Sequence, residues 1–365
     1  MLSSLRGLES KIDRFLLAAN GGRPILLYGA GFALPEIVRR LESYRFNIVG
    51  ICDSNTEKHG TTHAGRYDIF SLADALDRFP EATFVISSPV YFEEIYRDLV
   101  EQVGPDRVSE VDLTCAYFFK VHEFRDFFAN NRDRFESVLA SLAEDASRDT
   151  LIKVIKAHLT GERKDFQEAS TGNEDWYLFR SLLAPRSDTI YLDCGAYDGD
   201  TVRFFAESAT EGYERICAFE PNENMRSSLA SVAAKFPRIE VKEKGVAREV
   251  GTFSFRADGV FSALGGDDQP GRIVHIPVTT LDAELNGSRA DIIKMDIEGA
   301  EYDALHGAES TIRRHKPKLA VCLYHKVEDL VRIPEFVASL VPEYKLYIRH
   351  QSESCTDTIL FAVAD

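Results

Sequence analysis

The chain has 365 residues, 44% of them hydrophobic, with 43 basic against 59 acidic side chains and a formal net charge of −16. That length suits two domains of ordinary size, and the apolar content excludes global disorder. The charge argues against nucleic acid or an anionic membrane as the main partner, no apolar run is long enough to span a bilayer, and the N-terminus lacks an apolar signal core, so a cytoplasmic protein is expected.

Leu2, Leu5, Leu8, Ile12, Phe15 and Leu16 recur at helical spacing, which predicts an N-terminal helix within 1–22 that packs or mediates a homo-oligomer. Strands are predicted at 24–28, 47–52, 83–87 and 107–112, with helices at 33–43, 71–79 and 90–103. This alternation implies a small Rossmann-like α/β domain over 23–114. Gly29-Ala30-Gly31 follows its first strand and Asp53 ends its second, at the offsets of a dinucleotide site. Position 34 is Leu, however, where that fingerprint needs its third glycine. A nucleotide-sugar acceptor, an NAD-like ligand and a packing role all remain open for this block. Residues 115–185 read as a helical connector, with Phe118, Phe119, Phe124, Phe127, Phe128 and Phe135 as an aromatic packing stripe.

The second α/β block, 186–365, carries predicted strands at 189–193, 215–219, 239–243, 291–296 and 318–324. Runs 343–349 and 357–363 have no helix between them and read as an antiparallel hairpin. Five parallel-type strands and a terminal hairpin are the strand inventory of a class I methyltransferase. Cys52, Cys115, Cys194, Cys217, Cys322 and Cys355 make no Cys-x-x-Cys pair and read as reduced thiols.

The first strand of this block ends in Asp193-Cys194-Gly195-Ala196-Tyr197-Asp198-Gly199-Asp200-Thr201: an acid, a glycine turn, and a helix start. Such a turn lets backbone N–H groups approach a ligand. The next strand ends in Glu220-Pro221-Asn222, where the carboxylate is placed to accept both hydroxyls of a ribose and Asn222 to cap the following helix. S-adenosylmethionine has a cationic end and a ribose diol, which suits both acids. NAD is the competing ligand, but its three-glycine fingerprint is absent here. The fourth strand ends in Lys294-Met295-Asp296-Ile297-Glu298-Gly299-Ala300-Glu301. Lys294, Asp296 and Glu298 share a parity and are expected on one face. Gly259–Gly266, with Ser262, and the following Asp267 and Asp268 read as a loop between the third and fourth strands.

Together with Tyr324-His325-Lys326-Val327-Glu328-Asp329-Leu330 and Ile333-Pro334, these motifs resemble the FkbM family of S-adenosylmethionine-dependent methyltransferases over residues 188–363. The resemblance implies a class I, Rossmann-like methyltransferase domain and O-methylation, often of sugars. It places Asp193, Gly195 and Gly199 at the methionine end of the cofactor, Glu220 at the ribose, and Gly245 and Val246 near the adenine, with Cys194, Ala196, Asp200, Thr201, Pro221, Asn222 and Asp296 as further cofactor-binding residues. Cys194 departs from the aliphatic residue of many relatives without a large change of size.

A sugar hydroxyl is a poor acid, so a neighbouring base is needed. His325, after the fifth strand, is the expected base, with Asp296, Glu298 and Lys294 beside it. Lys326, Arg349 and His350 are expected to shape the acceptor pocket. Asp296, Glu298 and His325 also form an alternative divalent-metal set, of the kind that suits Mg²⁺ or Mn²⁺, though a metal is not favoured. The expected activity is O-methylation of a sugar or glycan acceptor, nucleotide-linked or not. A nucleotide-sugar oxidoreductase or epimerase led by 24–112, which lacks a Tyr-x-x-x-Lys pair, and a non-catalytic glycan-assembly protein are the alternatives.

Overall fold

The computed structural model describes residues 2–5, 8, 22–31, 33–88, 91–109, 111, 123–256 and 273–364. Most of the expected N-terminal helix lies outside the described residues. So do Cys115, Phe118, Phe119 and the loop with Ser262, Asp267 and Asp268. The chain divides into two compact units: 1–131 with 152–170 and 352–355, and 132–151 with 171–351 and 356–365. Among the described residues no helix is long and apolar enough to cross a membrane.

The first unit holds a five-stranded sheet. Its strands are β1 (Ile25–Tyr28), β2 (Ile48–Cys52), β3 (Thr62–His63), β4 (Tyr67–Phe70) and β5 (Thr83–Ile86), in the order β3-β4-β2-β1-β5. The central pairs are parallel and only β3 runs antiparallel to β4. Helices Leu34–Ser43, Leu72–Arg78 and Phe92–Val103 follow in chain order. The strands bury both faces, which is why Ile25, Leu26 and Leu27 form a continuous apolar run rather than an alternating one. β3 and β4 were not expected, since Tyr67-Asp68-Ile69-Phe70 is short and carries an acid. The strand expected at 107–112 appears only as isolated bridges at Val108 and Val111.

In the second unit a seven-stranded sheet runs β14-β15-β13-β12-β6-β7-β8. Its strands are β6 (Ile190–Cys194), β7 (Arg215–Phe219), β8 (Ile239–Lys242), β12 (Ile292–Met295), β13 (Lys318–Cys322), β14 (Lys345–His350) and β15 (Thr358–Val363). All neighbours are parallel except the terminal hairpin, where β15 is antiparallel to both β13 and β14. The strand order reverses at β6, so the crevice between the carboxyl ends of β6 and β12 is the natural ligand site of this topology.

A smaller sheet lies between β8 and β12 in sequence: β9 (Gly245–Val246), β10 (Gly251–Arg256) and β11 (Ile273–Thr279), in the order β10-β11-β9. Ala247, Ile276 and Val278 form its apolar cluster.

Candidate active site

The site is built by strand ends. Parallel pairing sets Lys294 of β12 directly against Asp193 of β6 and puts both on one face. The Lys294 ammonium lies 3.0 Å from Asp193 Oδ1 and donates to the Gly195 carbonyl at 2.6 Å. Thr201 Oγ1 donates to the other Asp193 oxygen at 2.6 Å. Burial works against the charge on Lys294, but Asp193 first and Asp296 next hold its pKa above the ordinary ammonium value. Both partners of this pair are almost fully buried. The Asp193 carboxylate, expected to face the cofactor, is instead spent on Lys294 and Thr201, and its work is to brace the glycine turn. Lys294 is likewise a brace and no base. Removing one member of a buried pair strands the other charge. Lys294→Ala is therefore expected to lower unfolding stability by about 3–5 kcal/mol, read as a drop in the urea midpoint. A change too small to move that midpoint would contradict the pairing.

The turn itself needs glycine. Gly195 sits at φ +84°, and a Cβ there would lie 1.8 Å from the Asp296 carbonyl oxygen. Gly199, at φ +93°, opens helix Asp200–Ser208 and is crowded by Val232 and Leu229. At the end of β7 the Glu220 carboxylate accepts from two backbone N–H groups. Tyr197 N donates to one oxygen and Asn222 N to the other, each at 2.8 Å. Each oxygen keeps acceptor capacity for a further donor. Burial raises the Glu220 pKa, and the two N–H donors oppose it. Asn222 accepts from Asn224 N, capping a short turn as expected.

These ends open onto a cavity of about 490 Å³, the size of a small-ligand site. Gly195, Asp200, Thr201, Glu220, Pro221, Asn222, Gly245, Val246, Lys294, Asp296 and Glu298 line it. Of the expected residues, Asp193, Cys194, Ala196, Gly199 and His325 do not. Cys194 and Ala196 are fully buried beneath the turn, and burial pushes the Cys194 thiol far up. Burial also lifts the Asp200 carboxyl to about 6, against the pull of Lys294.

The wall also contains residues that sequence reasoning missed. Trp176 and Tyr197 stand at it, as do Phe253, Ile276 and Val278 from the small sheet. The alternation in Gly251–Arg256 and Ile273–Thr279 was the available signal. Pro277 and the neighbouring glycines disguised it as connector.

At the end of β12 the chain turns, with Glu298 at φ +58°. Asp296 and Glu298 share the cavity because of this turn, since the strand whose parity would have aligned them stops at Met295. The Asp296 oxygens each accept a phenol: Tyr177 Oη at 3.0 Å and Tyr324 Oη at 2.9 Å. Burial would raise this carboxyl, but Lys294, His325 and the two phenols hold it below its usual value. His325 lies behind. Its Nδ1 is 3.0 Å from Glu301, and its Nε2 is 3.6 Å from both Asp296 and Glu298. Burial disfavours the imidazolium, yet Glu301, Glu298 and Asp296 raise its pKa to about 10. Burial lifts Glu298 to about 7, with His325 opposing and Asp296 and Glu301 adding to the rise. Three carboxylates around the ring favour its protonated form, which does not suit the role of base expected from sequence.

Asp296, Glu301 and His325 each offer a ligand atom within 4.8 Å of the others, so the donor set is one that a divalent cation accepts. Three carboxylates surround the His325 ring and favour its imidazolium form, and a cation bound there would compete with that proton. Arg349 and His350 do not shape the cavity. Arg349 binds Ser147 and Glu144, and His350 Nδ1 pairs with Thr358 Oγ1 at 2.9 Å. Lys326 packs by Gly299 and is not part of the lining.

In the first unit Asp53 Oδ2 accepts from Ala30 N at 2.6 Å and from Lys58 at 3.0 Å, while Oδ1 accepts from Asn55 N. The acid that would read a ribose there is tied to its own glycine turn.

The parallel sheet, its reversal at β6 and the acid-lined strand ends define a Rossmann-like methyltransferase fold. Residues 193–352 match the family model of the methyltransferase FkbM domain, and that stretch is similar to the FkbM methyltransferases. A crystal structure of methyltransferase FkbM from Methylobacillus flagellatus KT shares the fold at a TM-score of 0.71 and 20% identity, covering 96% of this chain and 99% of that one. More distant matches are an rRNA methylase from Streptococcus thermophilus (TM-score 0.35, 13% identity, 52% of this chain and 94% of that one) and Aeropyrum pernix fibrillarin with natively bound S-adenosyl-L-methionine (0.32, 12%, 50% and 69%). Neither bears on the chemistry of this chain. No curated protein matches it in sequence.

Proposed function

We propose that the chain is an S-adenosylmethionine-dependent O-methyltransferase acting on a hydroxyl of a sugar or glycan precursor, free or nucleotide-linked. The observation that carries this reading is Glu220: a carboxylate anchored by two backbone N–H groups on the cavity wall, one strand from a turn that excludes a Cβ. The ribose diol goes to Glu220. The adenine goes to the apolar side made by Val246, Ile276 and Val278, and the methionine end lies over Gly195. When bound, the cofactor supplies a methyl on a cationic sulfur that leaves as a neutral thioether. Glu298 is the base: it lines the cavity, and its pKa of about 7 lets it take a hydroxyl proton near neutrality. The imidazolium of His325 stands behind it, returning part of the charge that burial costs.

Aromatic side chains at the wall, Trp176 and Tyr197, favour a sugar acceptor, whose C–H faces stack on rings. Glu220→Ala is expected to weaken S-adenosylhomocysteine binding by about tenfold or more, measured by calorimetry on the full chain. Absence of binding to well-folded wild-type protein would sink the whole reading. The acceptor class is tested by supplying methyl-labelled cofactor with a panel of nucleotide sugars and glycan extracts. Label transferred only to non-carbohydrate material would replace the sugar.

A further inference from the structure

The carboxyl ends of the sheet follow one another in space as Asp296 after β12, Gly195 after β6, Glu220 after β7 and Gly245 beyond β8. A ligand whose ribose is held at Glu220 and whose base lies toward Gly245 must send its other arm over Gly195 toward Asp296. The atom that distinguishes methyl donor from spent product lies on that arm. It is a sulfonium before transfer and a neutral sulfur afterwards.

Asp296 is the anion waiting at that end, and its setting is unusual. Tyr177 and Tyr324 approach from different parts of the chain, each donating to a different oxygen. Tyr177 is fully buried and holds a left-handed backbone (φ 51°, ψ 18°), a conformation unfavourable for a non-glycine residue. Its N–H donates to Gln351 Oε1 at 2.9 Å, and Gln351 Nε2 donates onward to the Asp175 carbonyl at 3.1 Å. Tyr177 also lies outside residues 193–352, the stretch matched by the methyltransferase domain. The conformation is thus maintained against strain, by a dedicated glutamine, to deliver one phenol to one carboxylate.

We propose that Asp296 is the binding residue that reads the positive charge of the methyl donor, and that Tyr177 and Tyr324 are positioning residues that hold its carboxylate ionised, aimed and poorly nucleophilic. The last property matters, because a bare carboxylate beside a methyl sulfonium would itself be a methyl acceptor. Two phenol donors draw on both its oxygens, while Glu298 beside it has no such pair and remains available as base. Loss of the sulfonium charge on transfer then removes the attraction to Asp296 and favours product release. This proposal rests on the cofactor assignment made above.

The test compares affinities of the full chain for S-adenosylmethionine and S-adenosylhomocysteine by calorimetry. The Tyr177→Phe/Tyr324→Phe double variant keeps both rings and loses both donors. It is expected to bind the methionine form about tenfold more weakly while its affinity for the homocysteine form changes by less than about twofold. Asp296→Asn, which preserves shape, is expected to show the same selective loss.

Equal weakening toward both ligands, or an unchanged ratio, would overturn the proposal and leave the cofactor assignment standing. Failure of wild type to bind either ligand would overturn both.

Discussion

Glu298→Gln is expected to lower kcat for a methylated sugar acceptor by about 10²–10⁴-fold, the usual worth of a general base, with little change in cofactor affinity. The substitution keeps size and hydrogen bonding and removes only the ability to take a proton. The sign of the pH dependence follows from the carboxyl value of about 7. Below it Glu298 is protonated and cannot act as base, so the wild-type rate should climb through neutrality and level off above. His325, Asp296, Glu301 and Glu220 face this group and set that midpoint. In Glu298→Gln the rising limb should disappear. A variant that keeps both the rate and the limb would return the base to another residue. His325→Gln provides the complementary check: without the imidazolium, Glu298 loses its opposing charge, and the limb should move to higher pH.

Gly195→Ala should be the most damaging single change in the turn. Left-handed backbone alone costs alanine about 1–2 kcal/mol, and the new methyl would also collide with the Asp296 carbonyl 1.8 Å away. Each of the two residues directly follows a paired strand, so neither can yield without disturbing the end of β6 or of β12. Gly212→Ala is the natural comparison. It has a similar φ of +87°, but the nearest atom to its Cβ is a flexible arginine end at 3.9 Å. It should show the conformational cost alone. Gly195→Ala should show a clearly larger drop in the urea midpoint, together with loss of S-adenosylhomocysteine binding. Equal behaviour of the two variants would mean that the β6 and β12 ends are not as close as described.

The frame of the second unit was legible because its physics is local. Ile190–Cys194, Arg215–Phe219 and Ile292–Met295 are apolar runs that stop in charge and glycine, as strands buried on both faces must. The terminal hairpin was readable from two such runs without a helix between them. Glu220 and the glycine turn could be picked out for the same reason. What could not be read was pairing across distance. The lysine looked like a catalytic charge until register set it against Asp193. His325 looked like a base until three carboxylates, from Asp296, Glu298 and Glu301, were found around it. Tyr177 lies 119 residues from Asp296 in sequence, and its left-handed backbone has no glycine or asparagine to advertise it. The small sheet of Gly245–Thr279 hid behind Pro277 and short strands, and with it went most of the apolar wall.

The chain contains one tryptophan, and it stands on the cavity wall near Phe204 and beside Tyr177. Indole emission responds to the polarity and quenching of its surroundings. The protein therefore carries an intrinsic optical reporter at its candidate site, with no background from other indoles. Any compound that enters beside Trp176 should announce itself as a change in emission intensity or wavelength, without label or coupled assay. A library of candidate acceptors could be screened by light alone before a single turnover is measured.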